Sequence, residues 1–205
     1  MTATIDRFSQ EIELELLHGR QLFYWSIERY QNAIANGTLT EDDRVELLFG
    51  TIIDKVPIYS PHSACVSKTK RYLSRRFPDY EVRTENLIVL PHDSMPEPDC
   101  VIAAFQDDFY VNAHPVPSDI HVVIEVADST VRTDRSIKRA AYALSAINEY
   151  WLINLSERQV ELHLVANADS GNYQRVTSHT AIESFQSPFA GPVNVADLLP
   201  PVPAN

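Results

Sequence analysis

The chain has 205 residues, of which 44% are apolar and 22% are charged, as in ordinary globular proteins. Its net charge of −11, from 17 basic and 28 acidic residues, argues against a protein that binds nucleic acid over its whole surface. Cys65 and Cys100 are too few for a disulfide framework, no stretch reaches the roughly 18 to 20 apolar residues of a membrane span, and the N-terminus lacks a secretion signal. We therefore expect a cytoplasmic protein with no membrane partner.

The first part of the chain predicts a helix and a hairpin. Acidic and apolar side chains alternate in part of residues 1–24. We interpret this segment as an extension that packs on the domain. Ser26 can cap a helix that stops at Gly37. The β-rich runs on both sides of Gly50, within 44–56, predict a hairpin.

A longer helix is predicted to begin at Ser60-Pro61 and to end at Phe77, before Pro78. Proline suits the first helical position because its φ angle is already close to the helical value. One side of this helix carries a basic stripe, which consists of Lys68, Arg71 and Arg75. The helical spacing of the stripe suits contacts to phosphate groups, and an ordinary solvated helix face explains it equally well.

The middle of the chain predicts a buried sheet and a second helix. Residues 80–90 are interpreted as a strand. The runs 100–105 and 121–127 are short and continuously apolar, which is typical of strands that are buried on both faces. A second helix is predicted to begin at Thr133 or Asp134, with apolar residues at helical spacing that pack it on the sheet.

The last third of the chain predicts more strands and a proline-rich tail. The further strands are 150–154, 160–165 and 173–177. Residues 188–205 contain many prolines, and we expect little regular structure there beyond a short turn near 196–199. No repeat or linker is found, so residues 25–187 are interpreted as one α/β domain with a mixed central sheet flanked by helices.

Two strands of the buried type each bring one carboxylate. Asp99 stands at the beginning of the 100–105 run, and Glu125 lies inside the apolar run 122–126. A carboxylate in such a run is costly to bury unless something pairs with it. A divalent cation would do so, because Mg²⁺ prefers oxygen ligands from one or two carboxylates together with waters and phosphate oxygens. The competing interpretation is a buried ion pair with an arginine of the second helix.

Six short motifs occur in a consistent order over roughly residues 25–165. They are Asp42-Asp43-Arg44-Val45-Glu46-Leu47-Leu48 with Gly50, Ser60-Pro61-His62, Glu97-Pro98-Asp99, Ile124-Glu125-Val126-Ala127-Asp128-Ser129, Asp134-Arg135 followed by Lys138, and Glu149-Tyr150-Trp151. This ordered set resembles the Uma-two family of restriction endonucleases, which belongs to the PD-(D/E)XK nuclease superfamily. The resemblance implies a restriction-endonuclease-like fold with a metal site at one end of the sheet.

The resemblance also implies the metal ligands and a lysine. Asp99 and Glu125, with the backbone carbonyl of Val126, are expected to hold Mg²⁺, which Mn²⁺ could replace. The superfamily's lysine lies two residues after the second acid, where this chain has Ala127. In this family the lysine is moved to the following helix, and Lys138 occupies that position. From spacing alone, Lys138 would instead be a surface lysine paired with the aspartate four residues earlier.

Two further residues receive roles from the same resemblance. Glu46 corresponds to a third acid near the metal, although a solvated strand carboxylate would show the same pattern. His62, at the start of the basic helix, could reach a phosphate or the attacking water, or have no such role. His62 and the basic stripe form the expected substrate-binding set.

Together these observations predict a Mg²⁺-dependent endonuclease that hydrolyses DNA. The expected catalytic residues are Glu46, Asp99, Glu125 and Lys138. Two alternatives stay open: a catalytically inactive nuclease-fold module that binds nucleic acid or protein, favoured by the net charge and by Ala127, and a nuclease directed at RNA. Homodimers are common among such nucleases, and no heptad or surface patch in the sequence decides whether this chain forms one.

Overall fold

The computed structural model describes residues 23–128 and 131–202. Nearly all of the extension predicted at 1–24 lies outside these residues, as do Ser129 of the fourth motif and the last three residues of the chain. Within the described part of the chain, no helix is both long enough and apolar enough to cross a membrane. The two cysteines are free thiols and both are buried, as expected for small apolar side chains.

The first helix and the hairpin are present as predicted. Helix α1 (Ile27–Ala35) begins after Ser26, whose side chain accepts a hydrogen bond from a backbone N–H of the first turn. Strands β1 (Val45–Leu48) and β2 (Thr51–Asp54) form an antiparallel pair. Their turn passes through Gly50 at a φ of 71°, a conformation that glycine adopts without steric cost.

Helix α2 (Ser60–Arg76) is the basic helix of the sequence prediction. It has Pro61 in its first turn and ends one residue before Phe77, so its predicted ends are confirmed to within one residue. Val66 and Leu73 are buried against the sheet, which leaves the basic residues on the outer face.

A six-stranded mixed sheet forms the centre of the molecule. Its strands are β3 (Tyr80–Arg83), β4 (Cys100–Ala104), β5 (Ile120–Ala127), β6 (Glu149–Asn154), β7 (Gln159–Asn167) and β8 (Asn172–Thr180). They lie side by side in chain order, and every neighbouring pair is antiparallel except β5 and β6, which are parallel. The prediction of an α/β domain with a mixed central sheet flanked by helices is confirmed.

The strand predicted over 80–90 is shorter than expected and ends at Arg83. The following residues leave the sheet although Ile88 and Leu90 are buried. Ile88 donates its backbone N–H to the carbonyl of Pro96 and thus bonds within a loop. The segment 91–98 is rich in proline, which has no N–H to donate to a strand partner, so the loop takes the place of a longer strand.

The parallel pair β5 and β6 is joined by a helical crossover that is only partly α-helical. It consists of α3 (Val131–Thr133), a π-helix (Asp134–Lys138) and α4 (Arg139–Leu144). The predicted second helix is therefore present, but its central turn has the wider π geometry. Such turns are rare and occur frequently at functional sites.

The proline-rich end contains more structure than expected. Strands β9 (Ser184–Ser187) and β10 (Gly191–Asn194) form a hairpin, and helix α5 (Val195–Leu198) follows. The expectation of little regular structure is therefore wrong for residues 191–194, which form β10, while the predicted short turn corresponds to α5. The reason is burial, because the apolar side chains of β10 and α5 complete the core beneath α2.

The two faces of the sheet pack on different helices, and this determines where Glu125 points. Val122, Ile124 and Val126 of β5 belong to the core on the α2 side. Val123 and Ala127 belong to the core on the α4 side. Since side chains alternate along a strand, Glu125 lies on the α4 side, between these two apolar residues.

Candidate active site

An acidic cleft opens at the end of the sheet where β4 begins and β5 ends. It holds about 120 Å³, and eight of its sixteen lining residues are acids, against two lysines and one histidine. The acids are Glu46, Asp54, Glu85, Glu97, Asp99, Glu125, Asp128 and Asp134. This excess of carboxylates makes the cleft a site of negative potential, which favours cations and repels phosphate.

The two predicted metal ligands, Asp99 and Glu125, are neighbours in this cleft. Cys100 pairs with Ile124 across the antiparallel strands, so the register places Asp99 beside Glu125. The backbone N–H of Val126 donates to Oδ2 of Asp99 at 2.7 Å. The backbone N–H of Asp99 lies 3.4 Å from Oε2 of Glu125. The sheet therefore brings together two acids that are 26 residues apart in the chain.

Lys138 joins this pair from the π-helix and also reaches Glu46. Its Nζ lies 3.0 Å from Oε1 of Glu125 and 3.4 Å from Oε1 of Glu46. Lys138 is only 8% exposed, so the interpretation as a surface lysine is wrong. The cation that pairs with Glu125 in this structure is a lysine of the second helix and not an arginine. All four predicted catalytic residues thus lie in one cleft.

Burial and neighbouring charges shift the pKa values of both members of the Glu125–Lys138 pair. Burial raises the pKa of the Glu125 carboxyl well above its usual range; Lys138 opposes this shift and Asp99 adds to it. Burial alone would lower the pKa of Lys138, but Glu125 and Glu46 raise it well above its usual range. The lysine therefore keeps its proton, while burial disfavours the charged form of the Glu125 carboxyl.

His62 contacts Asp99 from the first turn of α2. Its Nε2 lies 3.2 Å from Oδ1 of Asp99. Burial would lower the pKa of His62, but the bond to Asp99 outweighs burial and raises it. In return, His62 lowers the pKa of Asp99 although burial acts in the opposite direction. The Nδ1 atom of His62 is buried and has no hydrogen-bond partner within the described residues.

Tyr142 is a site residue that the sequence analysis missed. Its hydroxyl donates to Oε1 of Glu125 at 2.5 Å, on the same oxygen that Lys138 contacts. Burial, with the nearby charge of Glu125, raises the pKa of Tyr142 well above its usual range, so the phenol keeps its proton. Tyr142 follows Lys138 by four residues, the spacing that places two side chains on one helix face, and this spacing was the available signal.

The basic stripe of α2 lies outside the cleft. None of Lys68, Arg71 and Arg75 lines it. The Nζ of Lys68 donates to the backbone carbonyls of Ala196 and Leu199 at 2.7 Å each, which ties α2 to the C-terminal helix α5. Arg71 and Arg75 are exposed, and their expected contact with phosphate stays a prediction.

The donor atoms of the cleft fit a hard divalent cation. Asp99, Glu125 and Val126 line the same space and offer carboxylate and carbonyl oxygens. The described residues contain no cluster of three or more histidine, cysteine, aspartate or glutamate ligands. Two carboxylates are nevertheless the number that Mg²⁺ takes when waters and phosphate oxygens complete its shell. A divalent cation would also offset the excess of negative charge in the cleft.

Comparisons with known proteins point to one family and one fold. The family model Uma2, described as "Putative restriction endonuclease", matches residues 27–195. A crystal structure of "a putative nuclease belonging to DUF820" from Anabaena variabilis has a TM-score of 0.64 and 15% sequence identity, and the match covers 84% of this chain and 96% of that chain. At this identity the likeness concerns the fold alone. No curated protein matches the chain.

Proposed function

The chain belongs to the Uma2 family, and we propose that it is a Mg²⁺-dependent endonuclease that hydrolyses phosphodiester bonds of DNA. One observation carries the proposal: two carboxylates from neighbouring strands meet a lysine and a third acid inside a single acidic cleft. A buried group of this kind costs folding energy, and such groups concentrate at functional sites.

The ligand roles that we propose are supported by the position of Asp99, Glu125 and Val126, all of which line the cleft. Asp99 and Glu125, with the carbonyl of Val126, would hold Mg²⁺, and Mn²⁺ would substitute for it. When bound, the ion lowers the pKa of water and neutralises charge on the scissile phosphate. Glu46 lies 3.4 Å from the Nζ of Lys138, so it anchors the lysine and keeps it in the cleft.

Lys138 acts through its charge. A general base is most effective when its pKa lies near the operating pH, whereas the pKa of Lys138 is raised by Glu125 and Glu46 despite burial. Its ammonium therefore remains charged at neutral pH. In the proposed reaction it orients the attacking water or stabilises the negative charge that develops on the phosphate.

The charge of the cleft makes substrate binding depend on a cation. Eight acids line the cleft, and each repels a phosphate that approaches. We therefore expect DNA to bind tightly only when a divalent cation is present. Exposed Arg71 and Arg75 of α2 are proposed to contact phosphates beyond the cleft.

The test is cleavage of plasmid, linear and branched DNA by the wild type and by Asp99→Ala, with Mg²⁺ or with a chelator. We expect Mg²⁺-dependent cleavage by the wild type and none by Asp99→Ala. Asp54→Ala is the matched control, because Asp54 also lines the cleft but makes no bond to Glu125. Equal residual activity of the wild type and Asp99→Ala would mean a contaminant and would remove the proposal.

A second candidate function is a catalytically inactive module that binds nucleic acid or protein. The observation in its favour is that Lys138 and His62 already pair with Glu125 and Asp99. Calorimetric titration with Mg²⁺ and Mn²⁺ separates the two, because an inactive module should bind neither ion at the two carboxylates. Parallel assays with single-stranded and double-stranded RNA decide whether RNA is the better substrate.

A further inference from the structure

Behind the residues that line the cleft, a buried tyrosine hydroxyl contacts a proposed metal ligand. Tyr142 is fully buried, and its hydroxyl donates to Oε1 of Glu125. The Nζ of Lys138 donates to the same oxygen. Both side chains come from one helical crossover, one turn apart, so a single element delivers both donors.

The two oxygens of Glu125 consequently have different surroundings. Oε1 accepts two hydrogen bonds, one from an ammonium and one from a phenol. Among the described residues, the one donor to Oε2 is the backbone N–H of Asp99, at 3.4 Å, which is a long and weak contact. The oxygen that keeps free acceptor capacity is therefore the one beside Asp99.

The ring of Tyr142 is held in place by its neighbours. It packs against Tyr150, with ring centroids 5.2 Å apart. The hydroxyl of Tyr150 donates to the backbone carbonyl of Asp134 at 3.3 Å, and that of Tyr173 donates to the carbonyl of Ile147 at 2.9 Å. Of these three buried tyrosines, only Tyr142 donates its hydroxyl to a carboxylate among the described residues.

We infer that Tyr142 is a positioning residue for the cation site. Together with Lys138 it holds Oε1 of Glu125, and it thereby presents Oε2, beside Asp99, to the cation. This inference rests on the proposed function. A partner that orients a ligating carboxylate affects metal affinity by about 10-fold to 100-fold when it is removed.

The test is calorimetric titration of the full-length protein with Mg²⁺ and with Mn²⁺. The variants are Tyr142→Phe and the matched control Tyr150→Phe, which removes an equally buried hydroxyl that bonds to a backbone carbonyl. We expect Tyr142→Phe to weaken cation binding about 10-fold. Tyr150→Phe should bind within about twofold of the wild type, because its lost bond does not involve a ligand.

Each outcome has a separate meaning. Equal affinities of Tyr142→Phe and Tyr150→Phe, whether both are unchanged or both are weakened, would overturn the positioning role while the proposed cation site stands. A wild type that binds neither ion removes the proposed function, and the positioning role with it.

A measurement on the wild-type sequence covers the case in which Tyr142→Phe does not fold. Tyrosine labelled with ¹³C at Cζ is incorporated at position 142 or, as the control, at position 173. On addition of Mg²⁺ we expect the signal of Tyr142 to shift, because the cation draws charge from the carboxylate that accepts its hydroxyl. The signal of Tyr173 should stay in place, and an unchanged Tyr142 signal at saturating Mg²⁺ would contradict the inference.

Discussion

Two glutamates of the central sheet are buried to a similar extent but differ in how their carboxylate oxygens are hydrogen-bonded. Glu125 on β5 and Glu149 on β6 are 2% and 3% exposed. Glu149 accepts one bond on each oxygen, from the indole N–H of Trp151 at 2.7 Å and from the backbone N–H of Phe189 at 3.1 Å. Within the described part of the chain, Glu125 has two donors on Oε1, whereas its Oε2 has the backbone N–H of Asp99 at 3.4 Å as its single donor.

The difference shows which property of a buried carboxylate indicates function. Neutral donors satisfy both oxygens of Glu149 far from the cleft, so this residue holds the β9–β10 turn to the sheet. Glu125 keeps an oxygen with spare capacity, and that oxygen lies next to a second acid. Burial is shared by both residues, whereas the incomplete satisfaction of Glu125 inside an acidic cleft is what supports its proposed role.

The largest effect is expected from Glu125→Gln. This change removes the charge of the Glu125 side chain and keeps its shape. Cation-dependent cleavage should fall by about a thousandfold or more, the scale on which catalytic groups act. The fold should persist, because Lys138 keeps Glu46 as an anionic partner at 3.4 Å. Rates are measured under single-turnover conditions, with circular dichroism to confirm folding. Cleavage at the wild-type rate would show that Glu125, like Glu149, has a structural role and not a catalytic one.

The next effect is expected from Lys138→Met, which keeps the length of the side chain and removes its charge. We expect the cleavage rate to fall about a hundredfold, as for loss of a charged group that acts on the transition state. Cation affinity should change less than in Tyr142→Phe, because Lys138→Met also loses a donor to Oε1 of Glu125 but removes an ammonium, 3.0 Å from that oxygen, whose charge repels the cation.

A matched control for this variant is Lys55→Met. Lys55 also lines the cleft and pairs with an acid, Glu97, at 2.8 Å, but it contacts neither proposed ligand. It should keep the wild-type rate to within a few-fold. Equal losses in the two lysine variants would mean that only the net charge of the cleft matters, and Lys138 would have no particular role.

A different kind of effect is expected from Glu149→Ala. This change leaves the indole N–H of Trp151 and the backbone N–H of Phe189 buried without an acceptor. The free energy of unfolding should fall by about 2 kcal/mol, measured by urea denaturation. Cation affinity of the folded protein should not change. If Glu149→Ala had normal stability but impaired cation binding, the structural role that we assign to Glu149 would be wrong.

Local signals in the sequence were sufficient for much of the fold. Ser26 and Ser60-Pro61 mark helix starts, and the apolar runs around Ile102 and Ile124 mark buried strands, because these patterns depend on neighbouring residues only. The early end of β3 and the structured C-terminus were missed for the opposite reason. There, prolines and distant burial partners decide the structure, and neither the loop bonds of Ile88 nor the core beneath α2 can be deduced from local patterns.

The sequence predicted several of the residues that meet in the cleft, but not which atoms of these residues contact each other. Asp99 and Glu125 stand out as carboxylates at buried strands, and the resemblance to a nuclease family added Glu46 and Lys138. Which oxygen each donor contacts depends on strand register and on the π-helical turn, and neither leaves a mark in composition or spacing. The spacing of Tyr142 from Lys138 could indicate a shared helix face, but it could not indicate that the hydroxyl contacts Glu125.

The smallest effect is expected at a third buried glutamate, Glu161 on β7. Its environment is intermediate between those of Glu125 and Glu149. Arg135 donates to its Oε1 at 2.7 Å, and His163 Nε2 lies 3.3 Å from its Oε2. Burial would raise the pKa of Glu161, but His163 and Arg135 outweigh it and lower the pKa below 4.5. The ionised carboxylate therefore stabilises the folded state. This stabilisation is complete above pH 4.5 and is lost as the pH falls through the lower pKa of the folded protein.

Glu161→Gln should accordingly destabilise the protein by about 1.5 kcal/mol at pH 7, and the deficit should shrink as the pH falls below 4.5. Urea denaturation of both proteins at several pH values measures this difference. The control is Glu157→Gln, because Glu157 also contacts Arg135, at 3.4 Å, but its side chain is exposed to solvent and should contribute little at any pH. A deficit that stays constant from pH 7 to pH 3 would mean that Glu161, like Glu149, acts through its hydrogen bonds and not through its charge.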